Sequence, residues 1–179
     1  MSKLPTPFRP LNICVLTVSD TRTLAEDTSG DALITMLEAA GHHFIERALV
    51  RDDIYDMRAV VSQWIADKKV QVVLITGGTG FYSRDSTPEA MIPLFDKQVE
   101  GFGELFRQIS YEEIGTSTIQ SRAVAGLANN TLVFCLPGST GACRTAWNGI
   151  LKEQLDSTHR PCNFVELLLG KFKPSLHEV

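Results

Sequence analysis

The chain has 179 residues and a formal net charge of −4. Its apolar fraction of 44% and charged fraction of 21% are ordinary for a globular protein, which excludes a disordered chain and leaves enough length for one domain with a substantial core. No long basic run occurs, so nucleic acid is not expected as a partner, and no apolar stretch approaches a membrane span.

Residues 1–10 carry three prolines and no apolar h-region. They read as a flexible arm rather than a secretory signal, and the cytoplasm is the default compartment. A single α/β domain is expected over residues 11–170, followed by a tail over 171–179. The four cysteines form no CxxC pair, and His42 and His43 are distant from them in sequence, so structural zinc is not expected. Cys14 and Cys135 sit in apolar runs and read as buried small hydrophobes.

The first buried strand is predicted from Asn12 to Ser19, ending in Thr17-Val18-Ser19-Asp20. Thr28-Ser29-Gly30-Asp31 then opens a helix, with Thr28 and Asp31 at capping-box spacing. Leu33, Met36, Leu37 and Ala40 share one face, and Gly41 ends it. A second strand runs from Phe44 to Val50. Asp53 is placed as N-cap of a helix from Ile54 to Lys68, a position that structure explains as well as function does.

The centre of the chain is the strand Val72-Val73-Leu74-Ile75, stopping at Thr76. Its unbroken β-branched run suits a strand covered on both faces. Gly77-Gly78-Thr79-Gly80 follows, able to turn sharply and present bare N–H groups. Arg84 and Asp85 lie in the insert, a cation and a carboxylate suited to phosphate and its metal ion. Thr87 reads as N-cap, with Pro88 at the first helical position and Glu89 near the positive end of the dipole. The Rossmann fingerprint fails at Ser83, and no Gly-Lys-Ser/Thr follows for a Walker loop.

Residues 88–114 read as two helical pieces. Ser121 to Leu127 is predicted as a further short helix. The third strong strand, Thr131 to Leu136, ends in Pro137-Gly138-Ser139-Thr140-Gly141, a second glycine-bearing turn before a helix reaching Leu155. Phe164 to Leu169 is a short apolar segment. Alternating strands and helices predict a three-layer αβα sandwich with a mainly parallel sheet. The polar loops at 17–20, 76–85 and 137–141 would then share one edge.

These blocks together resemble a known family. Thr17-Val18-Ser19-Asp20, Asp27-Thr28-Ser29-Gly30, Thr76-Gly77-Gly78-Thr79-Gly80, Arg84-Asp85-Ser86-Thr87-Pro88-Glu89-Ala90, Gly101-Phe102-Gly103-Glu104 and Leu136-Pro137-Gly138-Ser139 stand in the order seen in the molybdenum cofactor biosynthesis proteins MoaB and MogA. Cys143-Arg144-Thr145-Ala146-Trp147 and Thr158-His159-Arg160-Pro161-Cys162-Asn163-Phe164 look like the MoaB branch. The resemblance implies an α/β sandwich assembled as trimers, often hexamers in that branch. It implies molybdopterin as ligand, a pterin with a dithiolene and a terminal phosphate. The adenylyltransferase members join that phosphate to AMP from Mg-ATP.

Carried onto this chain, Gly77, Gly78, Thr79 and Gly80 would cradle phosphate, with Thr76 and Arg84 beside them. Asp53 and Asp85 would hold Mg²⁺ or orient substrate. Thr17, Ser19, Asp20, Pro137, Gly138 and Ser139 would line the pterin and nucleotide pocket. Glu104, Ser121 and Arg122 match motif positions, and Arg122 could meet phosphate. Such chemistry needs no strong base, since the attacking phosphate oxygen is already anionic, and no Ser-His-Asp or Cys-His constellation is visible. Thr140 stands where many adenylyltransferase members have a second proline, a MoaB-like feature. The alternative is a carrier that holds molybdopterin or a nucleotide without turnover. Other proteins of the pathway are possible partners.

Overall fold

Six strands form one sheet in the order β2-β1-β3-β6-β5-β4: β1 (Asn12–Val18), β2 (His43–Val50), β3 (Val72–Thr76), β4 (Lys97–Gln98), β5 (Val124–Ala128) and β6 (Thr131–Leu136). The computed structural model describes residues 7–169; the expected tail and the first six residues of the expected arm lie outside the described residues. The first four strands in that order are parallel, and β5 and β4 pair antiparallel at the other end. The sheet is therefore mixed but mainly parallel, as the alternating pattern predicts.

Side-chain alternation divides the core into two layers. On one face Ile13, Val15, Val72, Leu74, Leu132 and Phe134 pack against α1 (Thr28–Ala39), α4 (Glu100–Ile114) and α5 (Thr140–Ala146). On the other face Cys14, Leu16, Val73, Ile75, Val133 and Cys135 meet α2 (Ile54–Ala66) and α3 (Thr87–Met91). This is the expected three-layer sandwich. Burial pushes the Cys14 thiol up to about 12 and, with only partial relief from the Thr76 hydroxyl, that of Cys143 to about 11. Both are packing groups rather than nucleophiles.

Three local readings change. Ser121 to Leu127 is not a helix. A 3₁₀ segment (Gly115–Gln120) precedes it, and β5 occupies most of it. Asn129 and Asn130 both take positive φ, 46° and 66°, and close β5 onto β6 as a two-residue hairpin. Gly126 is needed in that strand, because a Cβ there would lie 2.2 Å from Phe95 Cγ. The cap of α1 is Asp27, not Thr28, and its side chain accepts from the Gly30 N–H at 2.9 Å. The cap position of α3 is Ser86; Thr87 is already helical and buried, its hydroxyl donating to the Gly77 carbonyl at 2.8 Å.

Residues 7–10 are fastened to the body. The Arg9 N–H donates to Ser157 Oγ at 2.8 Å, Ser157 Oγ donates to the Pro7 carbonyl at 3.0 Å, and the Phe8 ring lies 5.4 Å from that of His42. Among the described residues no helix is long and apolar enough to cross a membrane.

Candidate functional site

Register fixes where the site begins. Thr17 of β1 pairs with Thr76 of β3, and Thr76 pairs with Leu136 of β6. The three central strands thus stop within one residue of a common rung, and the loops after them leave from the same level. They line one cleft of about 1040 Å³, in the size range of small-ligand sites. Ser19 and Asp20 come from the first loop, Gly77 to Gly80 with Arg84 and Asp85 from the second, and Pro137 to Ser139 from the third. The far wall is built from Ser110 and Glu113 of α4, Ser117, Thr118 and Ser121 beyond it, and Thr145 of α5. Thr145 Oγ1 donates to Glu113 Oε2 at 2.8 Å, tying that wall together.

The glycine loop is held by its carbonyls. Gly77 and Gly78 have φ of +110° and +64°, conformations that glycine adopts without strain. Thr87 fastens both, through its hydroxyl to the Gly77 carbonyl and its N–H to the Gly78 carbonyl at 2.9 Å. Among the described residues, the N–H groups of Gly78, Thr79 and Gly80 donate to no acceptor. Three successive amides of this kind suit an anion.

The first loop is anchored from below. Asp27 is fully buried. Its Oδ2 accepts from Thr17 Oγ1 at 2.5 Å and Arg47 Nη2 at 2.6 Å. Burial pushes this carboxyl up, but the donors Thr17, Arg47 and Gly30 outweigh it and hold it below the usual range. A Cβ on Gly30 would stand 2.3 Å from Asp27 Oδ2. The Asp27-Thr28-Ser29-Gly30 block is thereby explained: glycine makes room for the carboxylate that caps α1. Arg22 reaches from the first loop to the third, donating to Ser29 Oγ at 3.1 Å and the Gly138 carbonyl at 3.2 Å.

Three aspartates stand at the cleft opposite Glu113 of the far wall: Asp20, Asp52 and Asp85. Arg84 grips Asp20 with both edges, at 2.5 and 2.9 Å, and also donates to the Asp52 carbonyl at 3.2 Å. That contact holds the Asp20 carboxyl below its ordinary value. Asp52 moves the other way. Burial raises it, the charges of Asp85 and Asp20 add to the rise, and the two hydrogen bonds from Ser86 offset it only in part. Ionising Asp52 therefore opposes folding at pH above its folded value. Asp52→Asn keeps an acceptor for Ser86 and removes the charge, so thermal unfolding at pH 7 should show a Tm unchanged or raised by roughly 1–3 °C. A clear fall in Tm would show that the carboxylate is structural.

Not every residue expected at the site reaches the cleft. Asp53 caps α2, accepting from the N–H groups of Tyr55 and Asp56 at 2.8 and 3.1 Å, and it is Asp52 that lines the cleft beside Asp85. Thr17 and Thr76 are buried beneath the rim, and the Thr76 hydroxyl donates to the Pro137 carbonyl at 2.9 Å. Glu104 lies in a separate groove with Arg107. Arg122 stands behind the glycine loop, donating to the carbonyls of Gly80 at 2.8 Å and Asp85 at 2.9 Å and pairing with Glu89. Of the residues missed, Asp52 had a usable signal: once Asp53 caps the helix, the carboxylate before it is left for another task. Glu113 and Thr145 had none.

A mainly parallel sheet with loops converging at the carboxyl edge, bare loop amides and neighbouring carboxylates defines an α/β domain with a cleft at its topological edge whose amides suit an anion. Residues 14–157 match the family model described as "Probable molybdopterin binding domain". The chain is 58% identical over 164 residues to molybdenum cofactor biosynthesis protein B of Escherichia coli (strain K12), covering 92% of this chain and 96% of that protein. It is 46% identical over 142 residues to the protein of the same name from Bacillus subtilis (strain 168), covering 79% and 84%. The crystal structure of tungsten cofactor synthesizing protein MoaB from Pyrococcus furiosus matches with a TM-score of 0.72 and 37% identity, covering 83% and 94%. The chain belongs to this molybdenum cofactor biosynthesis family, on its MoaB branch.

Proposed function

We propose that the cleft binds molybdopterin by its terminal phosphate and joins that phosphate to AMP taken from Mg-ATP. The observation carrying this reading is the run of unpaired amides at Gly78, Thr79 and Gly80, in one cleft with Arg84 and the aspartates Asp20, Asp52 and Asp85. In the reaction a terminal phosphate oxygen of the pterin attacks the α-phosphorus of ATP. The bond from that phosphorus to the bridging oxygen breaks, and pyrophosphate leaves with the electron pair. No proton has to be removed, so the loops act by positioning and by charge neutralisation.

Among the described residues no group of three or more His, Cys, Asp or Glu forms a metal cage. A nucleotide-bound Mg²⁺ needs only one or two carboxylates beside the phosphates, and Asp52 and Asp85 line the same cleft as the glycine loop. Asp52 and Asp85 are the residues that would hold it, and the ion would supply charge neutralisation at the phosphates. Trimeric or hexameric assembly and a cytoplasmic location belong to the same proposal.

The second reading, a carrier that holds the ligand without turnover, draws on the arginines. Both that line the cleft, Arg22 and Arg84, are already engaged by protein acceptors. One assay separates the two. Purified protein incubated with molybdopterin and Mg-ATP should yield adenylylated pterin and pyrophosphate. Asp85→Asn should lower that yield by about 100-fold while pterin binding is retained. Bound pterin with no adenylylated product from the wild type would favour the carrier, and unchanged turnover in the variant would remove Asp85 from the chemistry.

A further inference from the structure

The second loop carries two adjacent aromatic residues with different surroundings. Phe81 is covered by Arg122, whose guanidinium carbon lies 5.2 Å from the ring centroid. Tyr55, also exposed, is covered in the same way by Arg58 at 5.9 Å. Tyr82 has no such cover. It lines the cleft and is 87% exposed. Among the described residues its ring has no aromatic or cationic neighbour and its hydroxyl makes no hydrogen bond.

The backbone beneath that bare ring is nevertheless fixed. The Tyr82 N–H donates to Asp85 Oδ2 at 2.8 Å, and the Asp85 N–H donates to the Tyr82 carbonyl at 2.9 Å. Two hydrogen bonds thus close the turn from Tyr82 to Asp85. The same turn carries Arg84, and Arg122 holds the Asp85 carbonyl at its end and the Gly80 carbonyl two residues before its start. A fixed backbone presenting an uncovered aromatic face is preorganised to receive a flat partner, since little ordering remains to be done on binding.

We propose that Tyr82 is the stacking platform of the cleft, on which a flat, fused bicyclic heteroaromatic ring lies. That ring is the adenine or the pterin of the ligands proposed above, so the inference rests on that reading of the cleft. The glycine loop would hold the phosphate and Tyr82 the ring, two contacts of different chemistry contributed by one loop.

The test is equilibrium binding to the full chain by titration calorimetry. The probes are Mg-ATP, AMP, a pterin monophosphate and ringless tripolyphosphate; the variants are Tyr82→Ala and Tyr82→Phe. Tyr82→Ala should weaken the ligand whose ring stacks by about 5- to 100-fold and leave tripolyphosphate unchanged. Tyr82→Phe should restore the affinity to within about twofold, since the face and not the hydroxyl is used. A loss confined to the nucleotides assigns the platform to adenine, and a loss confined to the pterin assigns it to the pterin. If Tyr82→Ala binds every ring-bearing probe as the wild type does, the platform is overturned while the cleft reading stands. If the wild type binds none of the probes, the cleft reading falls and takes the platform with it.

Discussion

Gly77→Ala should lose about 3–5 kcal/mol of stability. Gly77 holds φ at +110°, and a Cβ there would lie 2.1 Å from the Val18 carbonyl oxygen. The colliding atom is backbone of β1, which cannot swing aside as a side chain can. Holding an alanine in that conformation costs about 1–3 kcal/mol, and overpacking adds about as much. Against a total of roughly 5–15 kcal/mol this is severe. Urea unfolding followed by the fluorescence of the buried Trp64 and Trp147 should show a markedly lower midpoint, or no folded protein. Gly101→Ala is the matched control. It lies in the first turn of α4, where a Cβ would meet nothing within 4 Å, and should be neutral or gain up to about 1 kcal/mol. Equal midpoints for the two variants would refute this account of the loop.

Asp27→Ala should be comparably damaging, by about 3–5 kcal/mol, because it leaves the largely buried Arg47 with Asp31 alone, the buried Thr17 hydroxyl without its acceptor and α1 without its cap. The pH dependence gives a sharper result. The folded carboxyl of Asp27 is held below its ordinary value. Its stabilisation is therefore complete above the unfolded value, near 3.9, and is lost as pH falls through the folded value below that. Urea midpoints measured from pH 7 down to pH 2 should fall more steeply for the wild type than for Asp27→Asn. Parallel curves would show that Asp27 does not carry this part of the acid sensitivity.

Much of the fold was legible because β1, β3 and β6 are apolar runs whose ends are marked by polar or glycine-bearing turns. Parallel pairing then places those ends on one edge, and the register of Thr17, Thr76 and Leu136 does so on one rung. What escaped was local. The strand β5 is Val-Ala-Gly-Leu-Ala, small residues with no alternating pattern, and its gap at Gly126 is justified only by Phe95 packing across it. The two residues of β4 are too few to leave any periodicity. In the site, Asp53 was legible as the cap of α2, which left the adjacent Asp52 to face the cleft. Glu113 and Thr145 become neighbours through the packing of α4 against α5, a tertiary event with no signature in either segment.

Arg122 grips the turn at Gly80 and Asp85, yet it enters from the residues just before β5, in the antiparallel half of the sheet. The rim is therefore splinted from outside the parallel layer that bears it. A displacement of the segment leading into β5 would reach the ligand-facing turn through Arg122, by its guanidinium and by its N–H on the Thr79 carbonyl.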